Sequence, residues 1–286
     1  MIDEVGLGKL LQSARKKAGL TQQELCQKAE LSYSTLAKIE RGAIKSPSIF
    51  TVQSIAHALG TSINELMGDE GPQAENNAKM PKKRSKSGIR FVYFDINGCL
   101  VRFFHRAFTR ISSETGARAD VVETTFWHYN DVACRGEMTV EEFNKAFAEK
   151  LGVKSIDWKK YYMEEVDPIE EMHELVKWAS ENYYVGLLSN IMSGFVDSML
   201  KNGLLPDIQY SAIVDSSEVN TIKPEPKIYE IAQGLTGCEP NEVLLVDDSR
   251  TNLVAAEKMG WHVLWFDDYR PSESAIKVKA TLEPAD

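Results

Sequence analysis

A polar stretch divides this chain of 286 residues into two parts. Residues 68–88 carry almost no apolar side chain and are rich in Gly, Pro, Ser, Asn and Lys. Such a segment cannot bury enough apolar surface to offset the entropy that it loses on ordering. We therefore expect two folded modules, residues 1–68 and residues 89–286, joined by a flexible linker at 69–88.

Net charge differs strongly between the two modules. The whole chain carries −9. Residues 1–68 carry +2, residues 69–88 carry a further +2, and the remainder carries −13. Because an acidic protein is not drawn to nucleic acid by its overall charge, any contact with double-stranded DNA is expected within residues 1–68.

Composition also indicates the surroundings of the protein. No apolar run reaches the roughly 18 residues that a membrane helix needs, so no membrane contact is expected. The four cysteines have neither metal-ligand nor disulfide spacing. Free thiols are typical of a reducing compartment, so the expected location is the cytoplasm.

The first module has the pattern of an all-α domain of five helices. Apolar residues recur at helical spacing, and Gly19 and Gly42 end two of the predicted helices. Thr21 followed by Glu24 forms a capping box that begins the second helix. A short fifth helix is predicted at 63–67.

Residues 7–67 contain the motifs of a DNA reader. Two helices joined by a tight turn can place the second helix in a major groove. The segments Gly19-Leu-Thr-Gln22 and Ile39-Glu-Arg-Gly42 resemble the lambda-repressor-like helix-turn-helix family. The resemblance implies binding to double-stranded DNA, and such domains usually bind as homodimers. It places Tyr33, Ser34 and Lys38 at the bases, and Gln22, Ser32, Thr35 and Arg41 at the phosphates. The alternative is a helical protein-interaction domain.

The second module has the pattern of a three-layer, Rossmann-like α/β fold. Five apolar runs predict buried strands at Ile89–Phe94, Val185–Leu188, Ala212–Val214, Val243–Val246 and Val263–Phe266. Helical stretches follow several of them, which favours a parallel sheet covered on both faces. About seventy residues of helical pattern lie between the first two runs, too many for an ordinary crossover. Residues 103–166 are therefore expected to form an inserted helical cap.

Polar side chains follow these strands at the edge where open parallel sheets bind ligands. Phosphoryl transfer through an aspartate needs an attacking carboxylate, a metal ion, a cation, and a hydroxyl or amide for the phosphate. Two adjacent carboxylates at a strand end suit Mg²⁺, which prefers oxygen ligands. The residues that offer these groups are Asp95, Ser189, Asn190, Lys223, Asp247, Asp248 and Asn252.

In this order the motifs resemble the haloacid dehalogenase superfamily, in its phosphatase-like branch with a helical cap, over residues 89–268. The resemblance implies a Mg²⁺-dependent hydrolase that forms an aspartyl phosphate on Asp95 from a phosphorylated small molecule. It implies catalytic roles for Asp95, Asn97, Ser189 and Lys223, and phosphate contacts from Ser189, Asn190 and Lys223. It implies metal contacts from Asp95, the main-chain carbonyl of Asn97 and Asp248, supported by Asp247 and Asn252.

Asn97 departs from the family pattern, because phosphatases carry an aspartate there as general acid and base. An amide cannot transfer that proton, so a contribution of about 10²–10⁴-fold is missing. The protein could use good leaving groups such as acyl phosphates, or take a proton donor from the cap, such as His128, Arg135 or Glu137. The domain could instead sense a phosphorylated small molecule without turnover. Dehalogenation is a further alternative, because a halide leaves unprotonated.

Overall fold

The computed structural model describes residues 6–29, 31–44, 47, 49–59, 82–102 and 104–284. The chain divides into two compact units, residues 1–78 and 79–286, each of which is described by itself. The fifth helix expected at 63–67 and the linker residues 69–81 lie outside the described residues. None of the described helices is both long enough and apolar enough to cross a lipid bilayer.

The N-terminal unit is helical in all the elements described. These are α1 (Gly6–Lys17), α2 (Gln22–Lys28), α3 (Tyr33–Glu40) and α4 (Ile49–Leu59). The predicted capping box is confirmed, because the Thr21 hydroxyl accepts from the Glu24 amide and the Glu24 carboxylate accepts from the Thr21 amide. Leu11, Leu25 and Leu36 are fully buried at the centre of the helices.

A buried ion pair joins α1 to α3. Arg15 donates from Nε to Glu40 Oε1 at 2.6 Å and from Nη2 to Glu40 Oε2 at 2.9 Å. Gln22 donates to the same carboxylate at 2.8 Å. Burial alone would raise the pKa of Glu40, but the hydrogen bonds from Arg15 and Gln22 outweigh it, so the pKa is lowered. The carboxylate is therefore held in its charged form inside the unit.

The second unit contains seven strands among its described residues. They are β1 (Phe91–Phe94), β2 (Val101–Arg102), β3 (Asp167–Pro168), β4 (Tyr184–Ser189), β5 (Ala212–Asp215), β6 (Val243–Asp247) and β7 (His262–Trp265). Five of them form a parallel sheet in the order β5-β4-β1-β6-β7. All five predicted strands are present in this sheet.

Both faces of the sheet are covered. Along β1, Val92 and Phe94 belong to one buried apolar cluster, whereas Phe91 and Tyr93 belong to another. This alternation is the period of a strand, and burial on both sides is typical of parallel sheets. The predicted α/β class is confirmed.

A helical insertion separates β2 from β3, which pair antiparallel at its base. Its helices are α5 (Phe104–Thr115), α6 (Ala119–Cys134), α7 (Val140–Leu151) and α8 (Trp158–Glu165). Phe108, Phe126, Phe143 and Trp158 hold these helices together, with ring centroids between 4.6 and 6.4 Å apart. We call this insertion the cap.

Helices after the cap lie between successive strands of the second unit, and the last of them follows β7. They are α9 (Glu170–Asn182), α10 (Phe195–Lys201), α11 (Ser216–Val219), α12 (Pro226–Thr236), α13 (Arg250–Lys258) and α14 (Pro271–Thr281). The second unit therefore has alternating strands and helices, as expected of a parallel sheet.

Residues 82–88 are not a linker, so that part of the predicted linker was wrong. The Lys83 amide donates to the carbonyl of Asn182 at 2.7 Å. Ser85 is 1% exposed, and its amide donates to the carbonyl of Ile89 at 2.9 Å. The segment is polar, yet it is ordered because its main chain finds partners on the α/β unit.

Candidate active site

The polar residues predicted at the strand ends meet at one edge of the sheet. Asp95 follows β1, Ser189 ends β4 and Asp247 ends β6, and these three strands are neighbours. Lys223 lies among them and is 2% exposed. Its ammonium is 2.6 Å from Asp247 Oδ2 and 3.0 Å from Asp95 Oδ1.

Asp247 is fully buried and has both carboxylate oxygens engaged. Oδ1 accepts from the Ser249 amide at 2.8 Å and from Asn252 Nδ2 at 3.1 Å, while Oδ2 accepts from Lys223 Nζ at 2.6 Å. With these partners, Asp247 fixes the position of the Lys223 ammonium. Asn252 faces Asp247 through its amide nitrogen, which cannot bind a metal ion.

Asn190 contacts the main chain of Lys223. Its Nδ2 donates to the Lys223 carbonyl at 2.8 Å, and its Oδ1 accepts from the Lys223 amide at 2.7 Å. This pair of bonds positions the loop that carries the lysine. Both polar atoms of the Asn190 side chain are thus engaged with the main chain. The phosphate contact predicted for Asn190 stays a prediction.

Charges in this cluster shift one another's pKa values. Burial raises the pKa of the Asp95 carboxyl to about 6, although the Lys223 ammonium acts against the rise. Burial, together with repulsion from Asp95 and Asp247, raises the pKa of Asp248 to about 7. Burial would lower the pKa of Lys223, but Asp247 and Asp95 outweigh it and raise that pKa. The ammonium therefore stays charged.

The donor set fits a hard divalent cation. Asp95, Asp247 and Asp248 each offer a carboxylate oxygen, and these oxygens lie within 4.8 Å of one another. With Lys223 the cluster has a net charge of −2 when all four groups are ionised. A divalent cation with oxygen ligands would neutralise this charge, which fits Mg²⁺.

Gly98 allows the turn after β1 to approach Asp248. Its φ is +81°, and a Cβ at this position would lie 2.2 Å from Asp248 Oδ2. A side chain here would be strained and would displace the carboxylate. Both the backbone conformation and the short distance to Asp248 therefore require glycine at position 98.

Asn97 is held by a side chain of the cap. The hydroxyl of Tyr162, on α8, donates to Asn97 Oδ1 at 2.7 Å. Tyr162 is 3% exposed, and burial raises the pKa of its hydroxyl. Sequence reasoning missed Tyr162, because nothing in the cap sequence distinguishes it from its neighbour Tyr161.

A cavity of about 300 Å³ lies at this sheet edge beneath the cap. The catalytic candidates Asp95, Asn97 and Lys223 line it, and the cap contributes Trp127 and Asp131. Asp131 is an ionisable cap residue that sequence reasoning did not single out.

Three cap residues were predicted as proton donors, and none is among the described residues lining this cavity. His128 and Glu137 are exposed. Arg135 forms an ion pair with Glu225 at 2.5 Å. Their predicted role in proton transfer therefore has no support from their positions.

The Ser189 hydroxyl lies beside the Asp95 carboxylate, where it acts against the rise in the pKa of that carboxyl. The residue is 1% exposed at the end of β4, and no described residue meets full hydrogen-bond geometry with its hydroxyl. A buried hydroxyl is normally bonded, so this one is placed to turn towards a ligand at the site.

The predicted recognition helix α3 presents its base-facing residues to solvent. Tyr33 is 54% exposed, and Ser34 and Lys38 are also exposed. These positions fit a surface that docks on another molecule.

The residues predicted at the DNA phosphates have partners within the unit. Ser32 accepts from the Thr35 amide at 3.1 Å as the N-cap of α3, and the two hydroxyls are 2.8 Å apart. Gln22 donates to Glu40 at 2.8 Å, and Arg41 Nε donates to the Ala37 carbonyl at 3.0 Å. Gln22 and Arg41 keep further N–H donors, whereas the contact between the Ser32 and Thr35 hydroxyls uses one of their two hydrogens. The phosphate contacts of all four residues stay predictions.

Residues 94–266 match the family described as haloacid dehalogenase-like hydrolase. The chain belongs to this family. Residues 11–66 match a helix-turn-helix family. This haloacid dehalogenase-like protein thus has a helix-turn-helix domain ahead of its hydrolase domain, as the two sequence resemblances predicted.

Known relatives are similar to one module or the other. An immunity repressor of Bacillus phage phi105 is 39% identical over 84 residues, which are 28% of this chain and 58% of the repressor. The match thus spans less than two thirds of that protein. The (S)-2-haloacid dehalogenase 4A of Burkholderia cepacia is 25% identical over 196 residues, which are 62% of this chain and 82% of the enzyme.

Solved structures share the fold of the second unit. A haloacid dehalogenase family enzyme of Bacteroides thetaiotaomicron, in complex with magnesium and inorganic phosphate, has a TM-score of 0.55 at 20% identity, over 63% of this chain and 95% of that one. The L-2-haloacid dehalogenase of Xanthobacter autotrophicus has a TM-score of 0.50 at 20% identity, over 68% and 85%. At this identity the likeness is one of fold alone.

Proposed function

We propose that this chain is a DNA-binding regulator with a Mg²⁺-dependent phosphohydrolase domain that acts through Asp95. The observation that carries the proposal is the convergence of Asp95, Ser189, Lys223 and Asp248 at the end of the parallel sheet. These side chains supply the nucleophile, a buried hydroxyl beside it, a fixed cation and a metal ligand.

Charge balance supports the metal. A phosphate dianion would enter a cluster that already carries −2, and such a charge is not stable in a buried site without a cation. Asp95, Asp248 and the main-chain carbonyl of Asn97 would hold Mg²⁺. The bound ion would neutralise and polarise the phosphoryl group.

The side chains then divide the work of transfer. The Asp95 carboxylate attacks phosphorus, the bond from phosphorus to the leaving oxygen breaks, and water later releases phosphate from Asp95. Lys223, fixed by Asp247, stabilises the phosphoryl oxygens. The Ser189 hydroxyl, next to Asp95, donates to one of them.

Leaving groups that depart without a proton suit this site best. Asn97 is an amide, whose N–H protons are too weakly acidic to be transferred to an alkoxide, and its oxygen already accepts from Tyr162. Acyl phosphates release a carboxylate, which needs none. They are therefore the preferred class for a first assay.

Dehalogenation has weaker support, although two relatives are named as haloacid dehalogenases. A haloacid carries a carboxylate that needs a cation or several donors. Among the described residues lining the cavity, Lys223 is the only basic one, and Asp247 and Asp95 already hold it.

The hydrolase proposal is tested by turnover in the full-length protein. With Mg²⁺, acetyl phosphate, sugar phosphates and nucleotides are assayed for phosphate release. Asp95→Asn is expected to abolish it, while Asp207→Asn, the same change at an exposed position, retains it. Activity that survives Asp95→Asn would rule out the aspartyl phosphate.

Asn97 favours a second candidate, a domain that senses a phosphorylated small molecule and does not hydrolyse it. In that case phosphorylated ligands raise the melting temperature of the protein with Mg²⁺, and no phosphate is released from any of them. The same panel therefore separates the two candidates.

DNA binding is tested on operators selected from random duplexes. Lys38→Ala and Tyr33→Ala are expected to weaken specific binding by about 1–3 kcal/mol each, as for the loss of a base contact. Lys9→Ala, an exposed lysine of α1, serves as the control. If neither α3 variant differs from the control, α3 is not the reading helix.

A further inference from the structure

The cavity beneath the cap is small. Its volume of about 300 Å³ is at the lower end of the range for small-molecule sites, about 300–1,000 Å³. If the proposed function holds, a phosphoryl group takes part of this space. The organic part of the ligand is then expected to be compact.

Much of the wall is apolar or aromatic. Phe126, Trp158, Met192 and Phe195 contribute to it. Amides of the wall, such as those of Asn130 and Asn252, lie beside this apolar surface. The wall therefore offers apolar contact to a compact organic group as well as some hydrogen-bonding atoms.

The charged side chains of the wall are mainly acidic. Asp95, Asp131 and Asp248 line the cavity, and the one basic residue among its described lining is Lys223. Mg²⁺ and a phosphate dianion carry equal and opposite charges. Their joint binding therefore leaves the net negative charge of the cavity wall unchanged. A second anionic group on the ligand would be repelled, and a cationic group would be attracted.

Trp127 and Asp131 form the part of the wall that fits a cation. They are four residues apart on α6, so their side chains lie on the same face of the helix. Trp127 is 46% exposed, and none of the ion pairs between described residues includes Asp131. Among the described residues, the Asp131 carboxylate accepts one long side-chain hydrogen bond, from the Asn130 amide at 3.4 Å. An aromatic face beside a carboxylate is a combination that recognises ammonium groups.

We infer that the ligand of this cavity is a small molecule with one phosphoryl group and one ammonium group, and that Trp127 and Asp131 bind the ammonium end. The inference rests on the proposed phosphate site, since Asp95, Ser189 and Lys223 must take the other end. It goes beyond the proposed function because it names the chemical class of the organic part.

The test compares two phosphate esters of the same shape and different charge. Choline phosphate carries a trimethylammonium group, and 3,3-dimethylbutyl phosphate has carbon in place of the nitrogen. Phosphoglycolate adds a carboxylate for comparison. Because Asn97 cannot protonate an alkoxide, hydrolysis of these esters is slow enough for binding to be measured by calorimetry on the full-length protein with Mg²⁺.

We expect choline phosphate to bind about tenfold more tightly than its neutral isostere. This factor corresponds to the combined free energy of a cation–π contact and a partly exposed ion pair. Phosphoglycolate is expected to bind more weakly than both. Asp131→Asn should bring the ratio of the two isosteres close to one, and Trp127→Leu should reduce it. Glu123→Gln, which removes a charge from the same helix outside the cavity, should leave the ratio unchanged.

Two outcomes overturn the inference. In the first, the neutral isostere binds as tightly as choline phosphate. In the second, Asp131→Asn leaves the ratio of the two dissociation constants unchanged. Hydrolysis of acetyl phosphate, measured separately, keeps the failures apart. If acetyl phosphate is hydrolysed but choline phosphate is not preferred, this inference fails and the proposed hydrolase stands. If choline phosphate is preferred but no substrate is hydrolysed, the proposed hydrolase fails and the inferred ligand stands.

Discussion

Replacing Asn97 by aspartate tests whether a missing proton donor limits this site. Asparagine and aspartate have nearly the same shape, so the new carboxyl keeps the hydrogen bond from the Tyr162 hydroxyl at 2.7 Å. Like-charge repulsion from Asp95 and Asp248 raises the pKa of the new carboxyl, which keeps part of it protonated near neutral pH. Protonated, it can donate to a leaving alkoxide.

The expected gain depends on the leaving group. General acid catalysis contributes about 10²–10⁴-fold. We expect the lower end for alkyl phosphates, about 10²-fold or about 2.7 kcal/mol, because the bond from Tyr162 stabilises the charged carboxylate and opposes the rise in pKa. Acetyl phosphate should gain little in the first step, since its leaving carboxylate needs no proton.

Single-turnover release of the leaving group isolates this first step. It is measured for an alkyl phosphate and for acetyl phosphate with the native protein and with Asn97→Asp. Adding Tyr162→Phe should extend activity to higher pH, because loss of that hydrogen bond raises the pKa of the new acid. Equal acceleration of both substrates, or none for the alkyl phosphate, would refute the reasoning.

Three further substitutions have expected outcomes. Gly98→Ala should lower the free energy of unfolding by about 1–2 kcal/mol, measured by denaturation, because the residue has a positive φ. It should also weaken Mg²⁺ binding, measured by calorimetry, because the new Cβ displaces Asp248. Glu40→Gln leaves Arg15 buried without its partner and should lower stability to urea by about 3 kcal/mol at pH 7. Folding lowers the pKa of Glu40, so its charged form stabilises the protein above the unfolded-state pKa of about 4.3. This stabilisation is lost as the pH falls through the folded-state pKa. The native protein and Glu40→Gln should therefore become equally stable in acid. Ser189→Ala should reduce turnover by about 10²-fold, since it removes the hydroxyl beside the Asp95 carboxylate; turnover equal to that of the native protein would contradict this.

Much of the architecture could be predicted from local sequence. The five strands were found because their apolar runs are short and continuous, as burial on both faces of a parallel sheet requires. The capping box at Thr21 and Glu24 was found because it involves residues three apart. The positions of Asp95, Lys223 and Asp247 followed from one rule, that parallel strands bring their carboxyl ends to one edge.

Contacts between distant residues could not be predicted in this way. Tyr162 reaches Asn97 across 65 positions, and Asn190 reaches Lys223 across 33. Which face of a cap helix points into the cavity depends on how the helices pack, so His128 was predicted and Asp131 was missed. In the same way, composition could not show that residues 82–88 find main-chain partners on the α/β unit.

The sequence by itself determined the two modules, the fold class of each and the residues at the strand ends, because periodicity and turn chemistry act over a few residues. Only the tertiary structure decided which side chains bond to one another around the cavity and which charges line it. Those choices depend on helix orientation and on distances between segments far apart in the chain, and no local pattern encodes them.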